Sequence, residues 1–210
     1  YTDIIKLGFG TSLLSPNISE KIEIYKNNGI PVCPGGTLFE AFFIRNQIED
    51  YKLFLDKNKL EMVEISDGSI QMKHEEKCEL ISDFSKNYQV ISEVGSKDAK
   101  IEIDLEKWKN QMKNELEAGS WKVIAEAREA GNVGVFTKSG DIQKNLIEIL
   151  CKGIDKENIL WEAPKKNQQH FFINKFGANV NLGNIAYNDV IPLECLRLGL
   201  RGDTFFNFIK

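Results

Sequence analysis

Short apolar runs alternate with longer amphipathic stretches along most of the chain. Four of these runs end in the same way, because a glutamate closes the apolar segment and a loop follows it. The four residues are Glu64, Glu93, Glu126 and Glu162, separated by 29, 33 and 36 positions. Such a spacing fits a β-strand, a loop, an α-helix and a return loop, which together make one βα unit. The pattern therefore predicts parallel strands joined by helices, with carboxylates at several strand ends.

The rest of the chain continues this alternation and predicts seven strands, each followed by a helix. The predicted strands are residues 2–7, 30–33, 61–65, 89–94, 122–126, 159–162 and 179–182. The predicted helices are residues 15–28, 38–57, 70–87, 104–117, 141–151, 167–176 and 189–198, identified by apolar residues at helical spacing. The longest loop, residues 127–140, has the length typical of an active-site cover.

Uninterrupted βα alternation indicates either a parallel barrel or an open doubly wound sheet. Polar residues of catalytic type follow nearly every strand, whereas an open sheet concentrates them at one switch point. We therefore predict an α/β fold, namely a TIM (β/α)8 barrel that forms a single domain over residues 1–210. A closed barrel has eight units, so the first βα unit is expected before Tyr1.

Composition and charge narrow the classes of function. The 210 residues are 42% hydrophobic and carry a formal net charge of −4, with basic residues scattered between acids, which argues against a nucleic-acid groove. No apolar run approaches the length of about 20 residues that spans a bilayer, so no membrane partner is expected. The four cysteines, at positions 33, 78, 151 and 195, form no Cys-x-x-Cys pair. Reduced, mostly buried thiols in a cytoplasmic protein are predicted, and a zinc site is not.

Strand exits of a parallel barrel open on one face, so polar residues from different strands are expected to share one bowl. They are Lys6, the amides of Gly35 and Gly36, Glu64, Asp67, Glu93, Lys97, Glu126, Arg128, Glu162, Lys165 and Asn184. Carboxylates grouped in this way repel one another unless a cation lies between them. Their oxygens suit Mg²⁺, and neighbouring lysine and arginine side chains suit the anionic groups of a substrate.

Each of these features also has an ordinary structural interpretation. Any one glutamate can be a solvated rim residue or the partner in an ion pair, and Lys97 can be a plain surface lysine. The Gly35-Gly36 pair can be no more than a turn. The three tryptophans, Trp108, Trp121 and Trp161, are interpreted as core residues.

Several motifs, in order along essentially the whole chain, resemble those of the phosphosulfolactate synthase family. They are Pro34-Gly35-Gly36-Thr37-Leu38-Phe39-Glu40, Glu64-Ile65-Ser66-Asp67-Gly68-Ser69, Glu93-Val94-Gly95, Glu126-Ala127-Arg128-Glu129, Glu162-Ala163-Pro164, Gln168-Gln169, Asn181-Leu182 and Gly199-Leu200-Arg201-Gly202-Asp203-Thr204. The resemblance implies a TIM barrel that requires Mg²⁺ and adds sulfite to phosphoenolpyruvate, giving (2R)-2-O-phospho-3-sulfolactate. It also implies a product that feeds coenzyme M synthesis in methane-producing archaea and sulfolactate in bacteria.

The resemblance suggests a role for each candidate residue. Lys97 is the expected proton donor and Arg128 the second catalytic residue, while Glu64, Glu93 and Glu126 are the expected metal ligands. Asp67 and Glu162 are substitutes or lie behind these ligands. Substrate binding is assigned to Lys6, Gly35, Gly36, Lys165, Gly183 and Asn184. A homo-oligomer is also expected.

Two departures from the family pattern stand out. Members carry a further strand and helix before the position of Tyr1, and many archaeal members have two lysines where this chain has Ser96-Lys97. Two other functions stay open at this point. One is a magnesium-dependent enolate enzyme with a different substrate, and the other is a non-catalytic member like the plant heat-stress-associated branch.

Overall fold

The computed structural model describes residues 1–95, 104–127, 132, 134–137 and 139–207. These residues divide into two compact units. The first, called here the N-terminal unit, comprises Thr2–Val94 and Asn110–Val123. The second, the C-terminal unit, comprises Tyr1, Gly95–Lys109 and Ile124–Lys210. The expectation of one domain over the whole chain stays a prediction.

Strands and helices alternate through both units. In the N-terminal unit they are β1 (Ile5–Leu7), α1 (Thr11–Leu14), α2 (Ile18–Asn27), β2 (Val32–Pro34), α3 (Gly36–Phe43), α4 (Ile48–Lys57), β3 (Met62–Ser66), α5 (His74–Phe84) and β4 (Gln89–Val94). Helix α6 (Leu105–Glu117) and strand β5 (Lys122–Ala125) have residues in both units. The C-terminal unit continues with α7 (Lys144–Gly153), β6 (Ile159–Glu162), α8 (Lys166–Phe176), β7 (Leu182–Gly183) and α9 (Val190–Arg197).

Parallel pairing of strands confirms the predicted fold class. Strand β1 pairs with β2, β3 with β4, and β6 with β7, all in parallel. Each partner strand is reached through at least one helix, as parallel connections require. The chain is therefore an α/β protein with the βα alternation of a (β/α)8 barrel, and every predicted strand is present.

Aromatic side chains form the centre of each core. In the N-terminal unit the Phe39 ring lies 6.0 Å from Tyr51 and 6.1 Å from Phe84, and all three side chains are buried. In the C-terminal unit Trp161 stacks on Phe172 at 5.1 Å and on Phe176 at 5.7 Å. Aromatic pairs at these distances add to the free energy gained from burying their area.

The single helix predicted over residues 38–57 is wrong, because the structure has two helices there. Asn46 adopts a left-handed conformation, with φ of 54°, and the amides of Asn46 and Gln47 bond to the Phe43 and Phe42 carbonyls. These bonds end α3 and let the chain turn into α4. The apolar stripe continues through the break, since Phe39 and Tyr51 belong to the same core. The hydrophobic pattern therefore carried no sign of the interruption.

Two further expectations need correction. Trp121 was predicted to be a core residue, but it is 42% exposed and its ring lies 4.5 Å below the Lys122 ammonium. The prediction of mostly buried cysteines is wrong, because only Cys33 is buried and the other three are partly exposed. All four are free thiols. In the described part of the chain, no helix has the length and apolar character needed to cross a bilayer.

Candidate functional site

The exit of β3 carries the first group of candidate residues, all in the N-terminal unit. The Glu64 carboxylate accepts a hydrogen bond of 2.8 Å from the Gly36 amide, at the start of α3. Its other oxygen lies 3.1 Å from the ammonium of Lys6, the middle residue of strand β1. Glu64 is buried, whereas the Lys6 side chain is 33% exposed. The structure thus brings together three predicted site residues, Lys6, Gly36 and Glu64.

A side chain at position 36 would collide with this arrangement. A Cβ atom there would lie 2.5 Å from the Ser66 hydroxyl and 2.7 Å from the Glu64 carboxylate. Glycine is therefore required for α3 to begin against β3. The Gly35 amide also has a partner inside the protein, because it donates to the Leu7 carbonyl at 2.8 Å. Neither predicted anion-binding amide can bind a substrate without giving up its present bond.

A second carboxylate holds the loop that follows β3. Glu40, buried on α3, accepts a hydrogen bond of 2.6 Å from the Ser66 hydroxyl and one of 3.3 Å from the Ser69 amide. The strand β3 is buried along its whole length. Its exit is therefore fixed on one side by the Glu64 contacts and on another by Glu40.

A third contact to this loop comes from Lys77, which the sequence analysis missed. Lys77 lies on α5 with only 1% of its side chain exposed, and its ammonium donates to Asp67 at 2.8 Å and to the Glu93 carbonyl at 2.6 Å. It also pairs with the buried Glu115 carboxylate on α6, at 2.9 Å. The sequence signal was a lysine on a helical stripe with Ile81 and Phe84, all three of them buried.

Burial and charge act in opposite directions on this ion pair. Burial would lower the pKa of Lys77, but the nearby Glu115 and Asp67 charges outweigh it and raise that pKa above its ordinary value. For the Glu115 carboxyl, burial raises the pKa and outweighs the lowering effect of the Lys77 charge. Lys77 is therefore a permanently charged ammonium at neutral pH.

The second group of candidate residues lies in the C-terminal unit. Carboxylate oxygens of Glu126 and Glu162 lie within 4.8 Å of each other, and both residues are buried. Glu162 accepts hydrogen bonds from the Ala127 amide, at 3.0 Å, and from the Asn184 side chain, at 3.4 Å. Glu126 follows β5 and Glu162 ends β6, so the two acids leave successive strands. The structure thus brings Glu126, Glu162 and Asn184 together.

Close backbone approach fixes Glu126. Gly95, whose φ is 146°, faces it so closely that an added Cβ would lie 2.5 Å from the Glu126 Cβ and 3.0 Å from the Trp108 ring. On the backbone side, the Glu126 carbonyl accepts a hydrogen bond from the Val135 amide at 3.0 Å. Glu126 is therefore held on both its side chain and its backbone.

The remaining predicted residues within the described part of the chain lie near the start of α8, the end of β7 and the end of β4. Gly183 lies opposite Glu162 in the β6–β7 register, and Asn184 follows it with φ of 56°. Lys165 is exposed just before α8, where its amide donates to the Gln168 side chain at 3.1 Å. Glu93 is buried near the end of β4 in the N-terminal unit. Lys97 and Arg128 lie outside the described residues.

The Glu126–Glu162 pair offers oxygen atoms of the kind that Mg²⁺ takes as ligands. Mg²⁺ takes oxygen ligands at about 2.1 Å, so two ligand atoms on one ion lie roughly 3 to 4 Å apart. Two buried carboxylates whose oxygens are within 4.8 Å of each other can meet that requirement with little movement. Hydrogen bonds from Ala127 and Asn184 hold the Glu162 carboxylate in place, in the way that neighbouring groups orient carboxylates in metal sites.

The fold and these residues define an α/β protein with buried carboxylates at the ends of parallel strands. The model of the (2R)-phospho-3-sulfolactate synthase (ComA) family matches residues 1–203. The chain belongs to this family.

Three curated relatives agree with this assignment. A phosphosulfolactate synthase of Bacillus subtilis is 43% identical over 209 residues, covering 98% of this chain and 83% of the relative. A protein of the same name from Methanocaldococcus jannaschii is 42% identical over 211 residues, covering 98% and 84%. One from Methanothermobacter thermautotrophicus is 38% identical over 210 residues, covering 97% and 81%.

Proposed function

We propose that this protein is a phosphosulfolactate synthase that adds sulfite to phosphoenolpyruvate in a Mg²⁺-dependent reaction, giving (2R)-2-O-phospho-3-sulfolactate. In reaction class it is a carbon–sulfur lyase working in the synthetic direction. The observation that carries the proposal is the buried Glu126–Glu162 carboxylate pair, found in a chain of this family. Relatives with 38 to 43% identity that bear the enzyme's name support it.

The reaction needs charge stabilisation and one proton. The sulfur lone pair of sulfite forms a C–S bond with the methylene carbon of phosphoenolpyruvate, and the displaced π electrons move into the carboxylate, which becomes a dianion. A proton then adds to the carbon that bears the phosphate. When bound, Mg²⁺ supplies positive charge beside the dianion, which lowers the barrier because that charge is larger than in the substrate.

Residues of the chain hold the metal and the substrate in this scheme. Glu126 and Glu162 bind the ion, and the predicted roles of Glu64 and Glu93 as further ligands belong to the same proposal. Lys97 delivers the proton, and the face on which it stands sets the stereochemistry of the product. Phosphate binding falls to Arg128, Lys165, Gly183 and Asn184, and the Lys6 charge attracts the anionic substrate.

The surroundings of the enzyme are also part of the proposal. A cytoplasmic location fits the four free thiols, since an oxidising compartment favours disulfides. We further propose that the protein forms a homo-oligomer and acts on small-molecule substrates. Neither nucleic acid nor a membrane is proposed as a partner.

Phosphorus NMR gives a direct test. Purified protein is incubated with phosphoenolpyruvate and Mg²⁺, with and without sulfite, and the new phosphate-ester signal is followed. We expect it only when both sulfite and Mg²⁺ are present, and expect the Glu162→Gln variant to form it far more slowly. Consumption of phosphoenolpyruvate without sulfite would indicate another enolate reaction and contradict the proposal.

Thermal shifts separate an enzyme from a scaffold. Ligands that bind the folded state raise the melting temperature in proportion to the logarithm of their concentration. Joint stabilisation by Mg²⁺ and phosphoenolpyruvate is expected for the enzyme. Indifference to both ligands, together with no product, would favour a non-catalytic role.

A further inference from the structure

The contacts of Lys77 link three elements of the N-terminal unit. An ammonium has three N–H donors, and three oxygens lie within hydrogen-bond distance of this one. They are the Asp67 carboxylate after β3 at 2.8 Å, the Glu93 carbonyl in β4 at 2.6 Å, and the Glu115 carboxylate on α6 at 2.9 Å. Every donor of Lys77 is therefore used, and none is left for a substrate.

Stability alone does not account for this buried charge. Removing a lysine and its carboxylate partner from water costs several kcal/mol per ion, and apolar residues of similar size are often as stabilising. The ion pair does something that apolar residues cannot, because it holds a backbone carbonyl and a loop carboxylate at fixed positions. Both are at strand exits, the end at which parallel βα barrels carry their active sites.

Glu93 is the residue that this arrangement affects most directly. The Glu93 carbonyl belongs to the peptide plane that joins Glu93 to Val94, so fixing this plane also restricts the direction of the Glu93 side chain. Successive side chains of a strand point to opposite faces. Ser92 bonds to Ser120 on one face of β4, at 3.0 Å, which assigns the Glu93 side chain to the other face. Lys77 then locks the Glu93 carbonyl itself.

We propose that Lys77 is a positioning residue that fixes the Glu93 backbone and the Asp67 carboxylate, and through Glu93 controls how tightly the protein binds its divalent ion. This inference rests on the proposed function, because it takes Glu93 as a metal ligand. Lys77 itself touches neither metal nor substrate. Replacing Lys77 together with Glu115 should weaken metal binding without changing the net stability of the fold.

The test replaces the whole ion pair rather than one partner. Lys77→Met alone would leave Glu115 buried without its partner charge, which is strongly destabilising. The double variant Lys77→Met/Glu115→Leu removes both charges, and Asp67, with 20% of its side chain exposed, can turn to water. Should that variant not fold, Lys77→Gln/Glu115→Gln takes its place under the same criteria.

Mn²⁺ affinity, measured by calorimetry without substrate, is the readout. We expect the double variant to keep the wild-type melting temperature while binding Mn²⁺ about tenfold more weakly, the usual cost of losing a partner behind a metal ligand. Lys52→Met is the matched control, because Lys52 on α4 pairs with Asp83 at 2.9 Å away from the strand exits. It should bind Mn²⁺ as the wild type does.

A double-mutant cycle separates positioning from a general structural effect. If Lys77 acts through Glu93, the ion-pair replacement should cost little further affinity in a Glu93→Gln background. Fully additive losses, or wild-type Mn²⁺ affinity in the double variant, would overturn the inference. These results concern metal binding alone, so they stand apart from the formation of the sulfonate product, whose absence in the wild type would instead overturn the proposed function.

Discussion

The Gly36 amide donates a hydrogen bond of 2.8 Å to the Glu64 carboxylate, so the first turn of α3 is closed by an acid from the middle of β3. A carboxylate at a helix N-terminus is favoured by the helix dipole and by the free amides there. The contact depends on glycine, because any side chain at position 36 would meet Glu64 and Ser66.

Gly36→Ala should therefore destabilise the protein by about 1–3 kcal/mol, the usual cost of overpacking a filled site. The added methyl group must push Glu64 or Ser66 away from its present position. Urea unfolding measures the loss. Gly8→Ala is the control, since a Cβ at position 8 has no atom within 4 Å. Equal stability of the two variants would contradict the close approach described here.

Glu162→Gln should weaken Mn²⁺ binding by about tenfold or more, because it removes the charge of one ligand and leaves the shape of the side chain intact. The amide oxygen can still accept the Ala127 hydrogen bond, so the fold should be kept. Calorimetric titration gives the affinity, and Glu148→Gln, at an exposed position of α7, is the matched control. Equal affinities in the two variants would exclude Glu162 as a ligand.

Lys97→Ala should abolish product formation and leave phosphoenolpyruvate binding almost unchanged. The reason is chemical, since the variant loses the proposed proton donor but keeps the cations and the metal ligands that hold the substrate. Phosphorus NMR measures turnover, and calorimetry measures binding. Lys107→Ala, at an exposed position of α6, is the control. Product formation at the wild-type rate would remove Lys97 from the mechanism.

Alkaline pH should destabilise the protein partly through Tyr88. Burial, together with the hydrogen bond of 2.6 Å and the charge of Asp56, raises the pKa of Tyr88 from 10.0 to about 12. The folded protein then keeps a proton that the unfolded chain loses. The stabilisation from Tyr88 is therefore complete below pH 10 and is lost as the pH rises towards 12.

The matching measurement compares unfolding free energies from about pH 9, below the ordinary tyrosine pKa, to about pH 12, the raised pKa in the folded protein. The wild type should lose stability more steeply than Tyr88→Phe, because the variant has no proton to retain. Tyr187→Phe is the control, since Tyr187 is 93% exposed. Parallel curves for the wild type and Tyr88→Phe would show that the pKa of Tyr88 is not raised in the folded protein.

The strands were easier to predict from sequence than the buried charges. Regular spacing of short apolar runs located the seven strands found among the described residues, because parallel strands are buried and their composition is distinctive. Lys77 and Glu115 were missed for the opposite reason, since charges on amphipathic helices usually face water. Each in fact continues an apolar stripe, Lys77 with Ile81 and Glu115 with Met112. Opposite charges at such positions on two helices are the signal of a buried pair.

Local backbone contacts explain the other differences. The turn at Asn46 depends on a left-handed residue that hydrophobic spacing does not report. The Gly35-Gly36 sequence is typical of anion-binding turns. Only the structure shows that the Leu7 carbonyl and the Glu64 carboxylate already accept hydrogen bonds from these two amides. Trp121 was assigned to the core from its residue type, although its position before β5 leaves the ring against Lys122 and solvent.

The segment from Glu64 to Ser69 is restrained by Gly36, Glu40 and Lys77 before any substrate arrives. The conformational entropy of ordering this segment is therefore lost during folding rather than at the moment of binding. A ligand that binds to this segment should associate without a slow rearrangement of the protein. Its association rate should therefore depend on diffusion and charge and not on a conformational step.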